Sequence, residues 1–278
     1  MKPHVQHYYL PAPSYWPIVG SIALFFLASG FVLLLNHFKP GPYLMMIGGL
    51  ILIGMLFGWF GAVIRESLSG SFNLQVDRSY RWGMGWFIFS EVMFFAAFFG
   101  ALFYARLISV PWLGSTPLLW PGYAATWPTA GPGPHDPFTP MAAWGIPAIN
   151  TLILLSSGAT VTWAHWGLIK NNRMQLKLGL VLTILLGTTF IGLQAHEYMS
   201  ADFSLHTGIY GTTFFMLTGF HGLHVTLGVI MLSVILLRAI AGHFAPKPQD
   251  HFAFAAVSWY WHFVDVVWLM LFVFVYWL

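Results

Sequence analysis

GPYLMMIGGLILIGMLFGWFGAVI, residues 41–64, decides what kind of chain this is. It contains no Asp, Glu, Lys or Arg, and wound as a helix it is apolar on every side instead of along one stripe. A helix rising about 1.5 Å per residue needs roughly 20 such residues to cross a hydrocarbon layer about 30 Å thick. This stretch is long enough. Other mainly apolar runs of spanning length, with at most two charged residues each, lie near 15–36, 82–108, 140–169, 176–199, 207–240 and 252–277. The pattern predicts an all-α, polytopic membrane protein with seven transmembrane helices in a single membrane domain, 1–278. Pro40, Gly41 and Pro42 leave only a tight turn between the first two helices. Glycines 54 and 58, with Gly48, Gly49 and Gly61 nearby, predict a small-residue face on the second helix, suited to close packing against a partner.

Composition agrees with that reading. Of 278 residues, 58% are hydrophobic and 7% are charged, against about 25% charged in soluble domains. So few charges could not cover a water-facing surface of this size. The net charge of +3 is dispersed, with no basic run, which argues against a nucleic-acid partner. The absence of cysteine excludes disulfides, thiolate metal sites and cysteine nucleophiles. The start, Met1 to Pro17, lacks the basic opening and small-residue cleavage site of a signal peptide, so the first helix is expected to be retained. Ser109 to Pro140, rich in Pro, Gly, Ser and Trp, reads as a long loop at a membrane face, where Trp112, Trp120 and Trp127 would sit between apolar and wet surroundings.

Basic residues orient the chain. With the N-terminus inside, Lys2, Arg65, Arg78, Arg81, Lys170, Arg173, Lys177, Arg238 and Lys247 fall on the inner face, and Lys39 and Arg106 on the outer face. That asymmetry is the positive-inside pattern, and one helix more or fewer would scramble it. Arg65, Arg238 and Lys247 stand near inner helix ends, where cationic side chains can hold lipid phosphates or only enforce topology.

Ionisable groups at membrane depth are costly and mark candidate sites. Glu66, Asp77, Asp136, Asp202, Asp250 and Glu197 are expected in loops or near helix ends. Glu91 in helix three and Asp265 in helix seven are expected deep in the membrane, as are His221, His224 and His262 or nearly so. His221 and His224 are three residues apart, and so are His262 and Asp265; each pair shares a helix face. Two readings are open. The four converge as metal or haem ligands, or each satisfies a neighbour between packed helices. For Glu91 the alternatives are a proton relay, or a neutral acid bonded to a carbonyl or a histidine. A retinal-type pump is disfavoured because residues 252–277 contain no lysine. A transporter is disfavoured because no paired broken helices are visible.

Longer words in the sequence narrow this further. TGFHGLHV (Thr218 to Val225) and WYWHFVDVVWL (Trp259 to Leu269) resemble the signatures of cytochrome c oxidase subunit III. So do WPIVG from Trp16, VIRES from Val63, SEVMFF around Glu91, TWAH ending at His165 and YGTTFF from Tyr210. The resemblance implies a two-helix plus five-helix arrangement with a phospholipid-holding cleft. It implies packing against oxidase subunits I and II, which hold the haem and copper, with no metal or catalytic residue in this chain. Cytochrome c or a quinol would be the donor to the complex, in a bacterial or mitochondrial inner membrane. Glu91 matches a buried, carbodiimide-reactive glutamate with a possible part in proton uptake. Arg65 and Arg238 match lipid-headgroup arginines, and His221, His224, His262 and Asp265 match positions of a structural polar cluster. The chain departs from many relatives in having Gly61 and Ala62 in place of Arg-Asp, Ala255 in place of Glu, and Trp166 in place of His.

Overall fold

A computed structural model describes residues 9–10, 13–70, 72–133, 136–244 and 251–278. Lys2, Lys247 and Asp250 lie outside them. Seven helices are long and apolar enough to cross a membrane. They are α1 (Trp16–Leu35), α2 (Gly41–Leu68), α3 (Leu74–Gly114), α4 (Ile146–Ile169), α5 (Arg173–Ser200), α6 (Gly208–Ile240) and α7 (Phe252–Trp277). The chain divides into two compact units, 1–79 and 80–278, with the boundary inside the first turns of α3.

In the first unit α1 and α2 form a tight antiparallel pair. Between them the chain reverses at His37, whose φ is 60°, and the Phe38 N–H donates to Leu33 O at 2.9 Å. The two backbones then run unusually close. A Cβ placed on Gly30 would lie 2.6 Å from Met45 N, and one on Gly48 would lie 2.8 Å from Leu27 N. Gly41, Gly48 and Met55 are the buried positions of α2, two turns apart and therefore on one stripe. Gly58 continues that contact face against the Trp16 ring. Of the glycines expected to form a small-residue face, Gly48 and Gly58 do face α1, whereas Gly49 and Gly54 meet nothing within 4 Å and Gly61 meets only the Arg65 side chain. The remaining apolar surface, such as Phe25 and Phe57, is exposed, as lipid-facing surface should be.

In the second unit α4 to α7, with most of α3, enclose an aromatic core. Trp261, Trp268, Phe190, Phe214 and Phe254 are all fully buried. The indole N–H of Trp261 donates to Ser157 Oγ, and that of Trp268 to Thr151 Oγ1, each at 2.9 Å. These bonds let two large rings pack on α4 without stranding a donor. The turn from α4 to α5 is closed by Asn171 at φ 55° and by the Asn172 side chain, which accepts from Gln175 N–H at 3.1 Å as an N-cap.

Four boundaries differ from expectation. α2 runs on past 64 to Leu68 and α3 starts at Leu74 instead of near 82, so Glu66 and Asp77, expected in the loop between them, are helical. α3 extends to Gly114 through a π-helical turn, Ala105–Ser109, so Ser109 is helical and the loop begins later. The wider turn accommodates Pro111, which has no N–H to donate and whose ring crowds the preceding carbonyls. α4 starts at Ile146, not near 140. Gly145 at φ 134° is closed to other residues' usual backbone shapes, and Pro147 suits the first helical turn. The loop between them is pinned to the start of α6. Ile209 N–H donates to Ala130 O, Tyr210 N–H donates to Thr129 O, and Phe138 stacks on Tyr210 at 5.3 Å.

Candidate functional site

Glu91 stands on α3 facing α6. Its Oε2 lies 2.9 Å from His224 Nε2. The other ring nitrogen, Nδ1, is 2.7 Å from Phe220 O, one turn back along α6. A carbonyl only accepts, so Nδ1 carries the hydrogen. The short contact to Glu91 therefore contains one proton, held either on the carboxyl or on the imidazole. The pair is neutral overall in both forms, which suits its surroundings. Phe95 meets the His224 ring edge-on at 4.9 Å, and Tyr260 lies parallel to it at 6.2 Å. The pair is not sealed: the Glu91 side chain is 22% exposed. Of the alternatives left open by the sequence, the acid bonded to a histidine describes the geometry, and one shared proton is compatible with a relay.

His221 shares its helix with His224 but looks elsewhere. Three residues correspond to about 300° of rotation, or 60° of divergence, enough to aim His221 toward α7. There its Nε2 donates to Val264 O at 3.2 Å, and the ring packs between Phe190 and Trp268.

His262 and Asp265 form a third arrangement, between α7 and α4. Thr162 spends its hydroxyl hydrogen on Gly158 O at 2.9 Å, so it accepts from His262 Nε2 at 3.2 Å. That leaves His262 Nδ1 3.4 Å from Asp265 Oδ2. A Cβ on Gly158 would collide with that same Oδ2, so this glycine admits the carboxyl against α4. The group opens onto a groove of about 540 Å³ lined by Leu155, Thr162, Trp166 and Val266. The four candidate residues are thus brought to one level of the second unit but held in three separate sets of bonds. Among the described residues there is no group of three or more His, Asp or Glu side chains placed to hold a metal ion.

The two arginines differ in setting. Arg65 is exposed near the end of α2, with its guanidinium lying back along the helix 3.6 Å from where a Gly61 Cβ would be. Arg238 is buried to 8% exposure, with its guanidinium over the Phe244 ring at 5.1 Å. Arg173 Nη2 donates to the carbonyl of the same Phe244.

A further acid is buried where the sequence did not suggest it. Glu197 does stand near the end of α5, as expected, but it is 1% exposed and takes a hydrogen bond from Tyr276 at 2.8 Å, so it belongs with the buried acids. Depth along α5 gave the wrong answer because α7 and the segment after α5 cover that end, with Phe203 buried among Tyr210 and Phe214. The available signal was local: Gln194 and Glu197, three apart, continue the buried stripe of Gly187 and Phe190.

The sequence model of cytochrome c oxidase subunit III matches residues 6–278. Among curated relatives, cytochrome c oxidase subunit 3 of Papio hamadryas is 41% identical over 278 residues, covering 100% of this chain and 99% of the relative. The subunit 3 of Cyprinus carpio is 44% identical over 276 residues, 99% and 98% of the two chains. That of the liverwort Marchantia polymorpha is 43% identical over 271 residues, 97% and 96%. Identity at this level across the whole length, on seven membrane-spanning helices, leaves one assignment: the chain belongs to the cytochrome c oxidase subunit III family.

Proposed function

We infer that this chain is a non-redox core subunit of a proton-pumping oxidase that takes electrons from cytochrome c and reduces O2 to water. As a family member it is a multi-pass subunit of an oxidoreductase complex; the finer role is our reading. In it, the chain acts as one membrane domain packed on subunit I, with the haem and copper in subunits I and II. The N-terminus lies on the cytoplasmic or matrix side, and structural phospholipids are held near Arg65 and Arg238. Glu91 supports proton uptake and sustained turnover. The observation that carries this reading is the 2.9 Å contact between Glu91 and His224, which joins a carboxyl and an imidazole on two spanning helices. The non-redox part is supported by the bonding of His221, His224 and His262, each committed to its own neighbour.

Glu91→Ala in the assembled oxidase tests it. The initial rate of O2 reduction is expected to stay within about twofold of the parent. Carbodiimide labelling of the chain should disappear, proton uptake should fall, and activity should decay faster during turnover. Near-complete loss of turnover with normal assembly would instead make the residue obligatory, and unchanged uptake and lifetime would make the pair structural. For the lipid sites, replacing Arg65 and Arg238 together by Ala should lower the phospholipid that co-purifies with the complex, read by mass spectrometry. An unchanged lipid content refutes that assignment. Because Arg238 is largely buried against Phe244, Arg65→Ala alone should account for the more labile share.

A further inference from the structure

The proposed role leaves one part of the second unit without a use. At the outer end of α4, α5 and α7 three polar side chains are buried with atoms that have no hydrogen-bond partner. Asn150 is 0% exposed, Glu197 1% and Gln194 5%. Both polar atoms of Asn150, both of Gln194 and Oε2 of Glu197 are unpartnered.

These residues belong together. α4 and α5 run antiparallel in a register fixed by three close approaches. Gly167 lies at Leu176, Ala164 at Gly179, and the Thr160 and Thr183 hydroxyls meet at 2.8 Å. Ser157 and Gly187 then meet across the Trp261 ring. Continuing two turns further along both helices brings Asn150 opposite Gln194. Glu197 follows one turn later on the same buried face of α5, bonded to Tyr276 of α7. The Gln194 carboxamide lies near the Tyr198 and Tyr276 hydroxyls but does not meet hydrogen-bond geometry with either. The walls are apolar: Trp268 lies 5.8 Å from Tyr276, and Phe214 5.4 Å from it.

We propose that Asn150, Gln194, Glu197 and Tyr276 line an internal hydration site that holds water between α4, α5 and α7, with the Glu197 carboxyl as its anchor. The chemistry of the unpartnered atoms selects the ligand. Two carboxamide NH2 groups donate, while their oxygens and Glu197 Oε2 accept. A bare cation would satisfy the oxygens and strand the N–H groups. An anion would do the reverse. Water does both, making about three hydrogen bonds per buried molecule, so about two molecules serve the five atoms. This site is separate from Glu91 and His224, which lie on α3 and α6.

A density map of the assembled oxidase, sharp enough to show ordered water, tests the proposal directly. The expected result is at least one peak about 2.7–3.2 Å from Glu197 Oε2 and from a carboxamide atom of Gln194 or Asn150. A dry interior in which the two carboxamides bond each other or Glu197 overturns it. So does a peak at the shorter distances of a coordinated cation, about 2.3–2.6 Å. Infrared difference spectra in H2(18)O give an independent reading. An isotope-sensitive O–H stretch of internal water should be present in the parent, kept in the near-isosteric Glu197→Gln, and lost in the double variant Asn150→Leu, Gln194→Leu. A band that survives the double variant places the water elsewhere and refutes the site.

Discussion

Gly48→Leu is expected to separate α1 from α2 and to leave an oxidase that loses this chain on mild heating. The reason is the nature of the obstacle. A Cβ at position 48 would lie 2.8 Å from Leu27 N and 2.9 Å from Ala23 O. Side chains can rotate away from an intruder, but two helix backbones can only move apart. Overpacking a core typically costs about 1–3 kcal/mol. A leucine-sized intrusion against backbone belongs at or above the top of that range, about 3 kcal/mol or more. Moving the helices apart would also undo the matching approach at Gly30, where Met45 N is 2.6 Å from a Cβ position, and at Gly41, where Leu34 N is equally near. Gly54→Leu is the control. That glycine is exposed and meets nothing within 4 Å, so its substitution should change stability by no more than about 0.5 kcal/mol. The midpoint temperature for loss of the chain from purified oxidase reads both. Equal midpoints for the two variants would show that the α1–α2 contact contributes little to holding the subunit.

That pair also shows what the sequence makes legible. Spans of mainly apolar residues are dictated by bilayer thickness, and all seven are visible without any tertiary information. Which side of a span packs is a different matter. α2 is apolar all round, so its periodicity contains no stripe, and Gly54 and Gly48 look equivalent as letters. Only the position of α1 distinguishes them. The end of α3 and the start of α4 are hidden for a related reason. The Pro-, Gly- and Trp-rich composition marks a loop over Ser109 to Pro140, but a π-helical turn carries α3 through Ser109 to Gly114. The Gly145 conformation delays the start of α4 from the expected 140 to Ile146.

The polar site was legible in its residues and hidden in its pairing. Glu91, His221, His224, His262 and Asp265 could be found by depth alone. Spacing of three suggested that each pair acts together, and for His262 and Asp265 the geometry has them adjacent. For His221 and His224 the 60° divergence sends one ring to Val264 and the other to Glu91, 133 positions away in sequence. No local rule predicts that partner. Glu197 was hidden by the opposite error, since distance from a helix end measures depth only where the end is open to water. Here Phe203 and Tyr276 close it.

His224→Phe should destabilise the subunit more than any substitution of Glu91, because the two members of the pair are not equivalent. Without its acid, the imidazole keeps the bond from Nδ1 to Phe220 O and is left with one neutral acceptor. Without its imidazole, Glu91 meets the new ring, itself packed on Phe94 and Phe95, with a carboxyl that has lost the only hydrogen-bond partner seen for it among the described residues. Stranding a buried polar group costs about 1–3 kcal/mol, and breaking a buried charge pair about 3–5 kcal/mol. With the Glu91 side chain 22% exposed, partial access to polar surroundings places the expected loss at about 2–3 kcal/mol. A double-mutant cycle separates this from mere loss of packing. Glu91→Leu added to His224→Phe removes the stranded carboxyl and should recover most of the loss, since an apolar pair of similar volume replaces a polar one. The cycle is read as the midpoint of heat-induced dissociation for the parent, each single variant and the double. If the two single effects simply add, the 2.9 Å contact contributes no coupling, and His224 matters only as a ring packed between Phe95 and Tyr260.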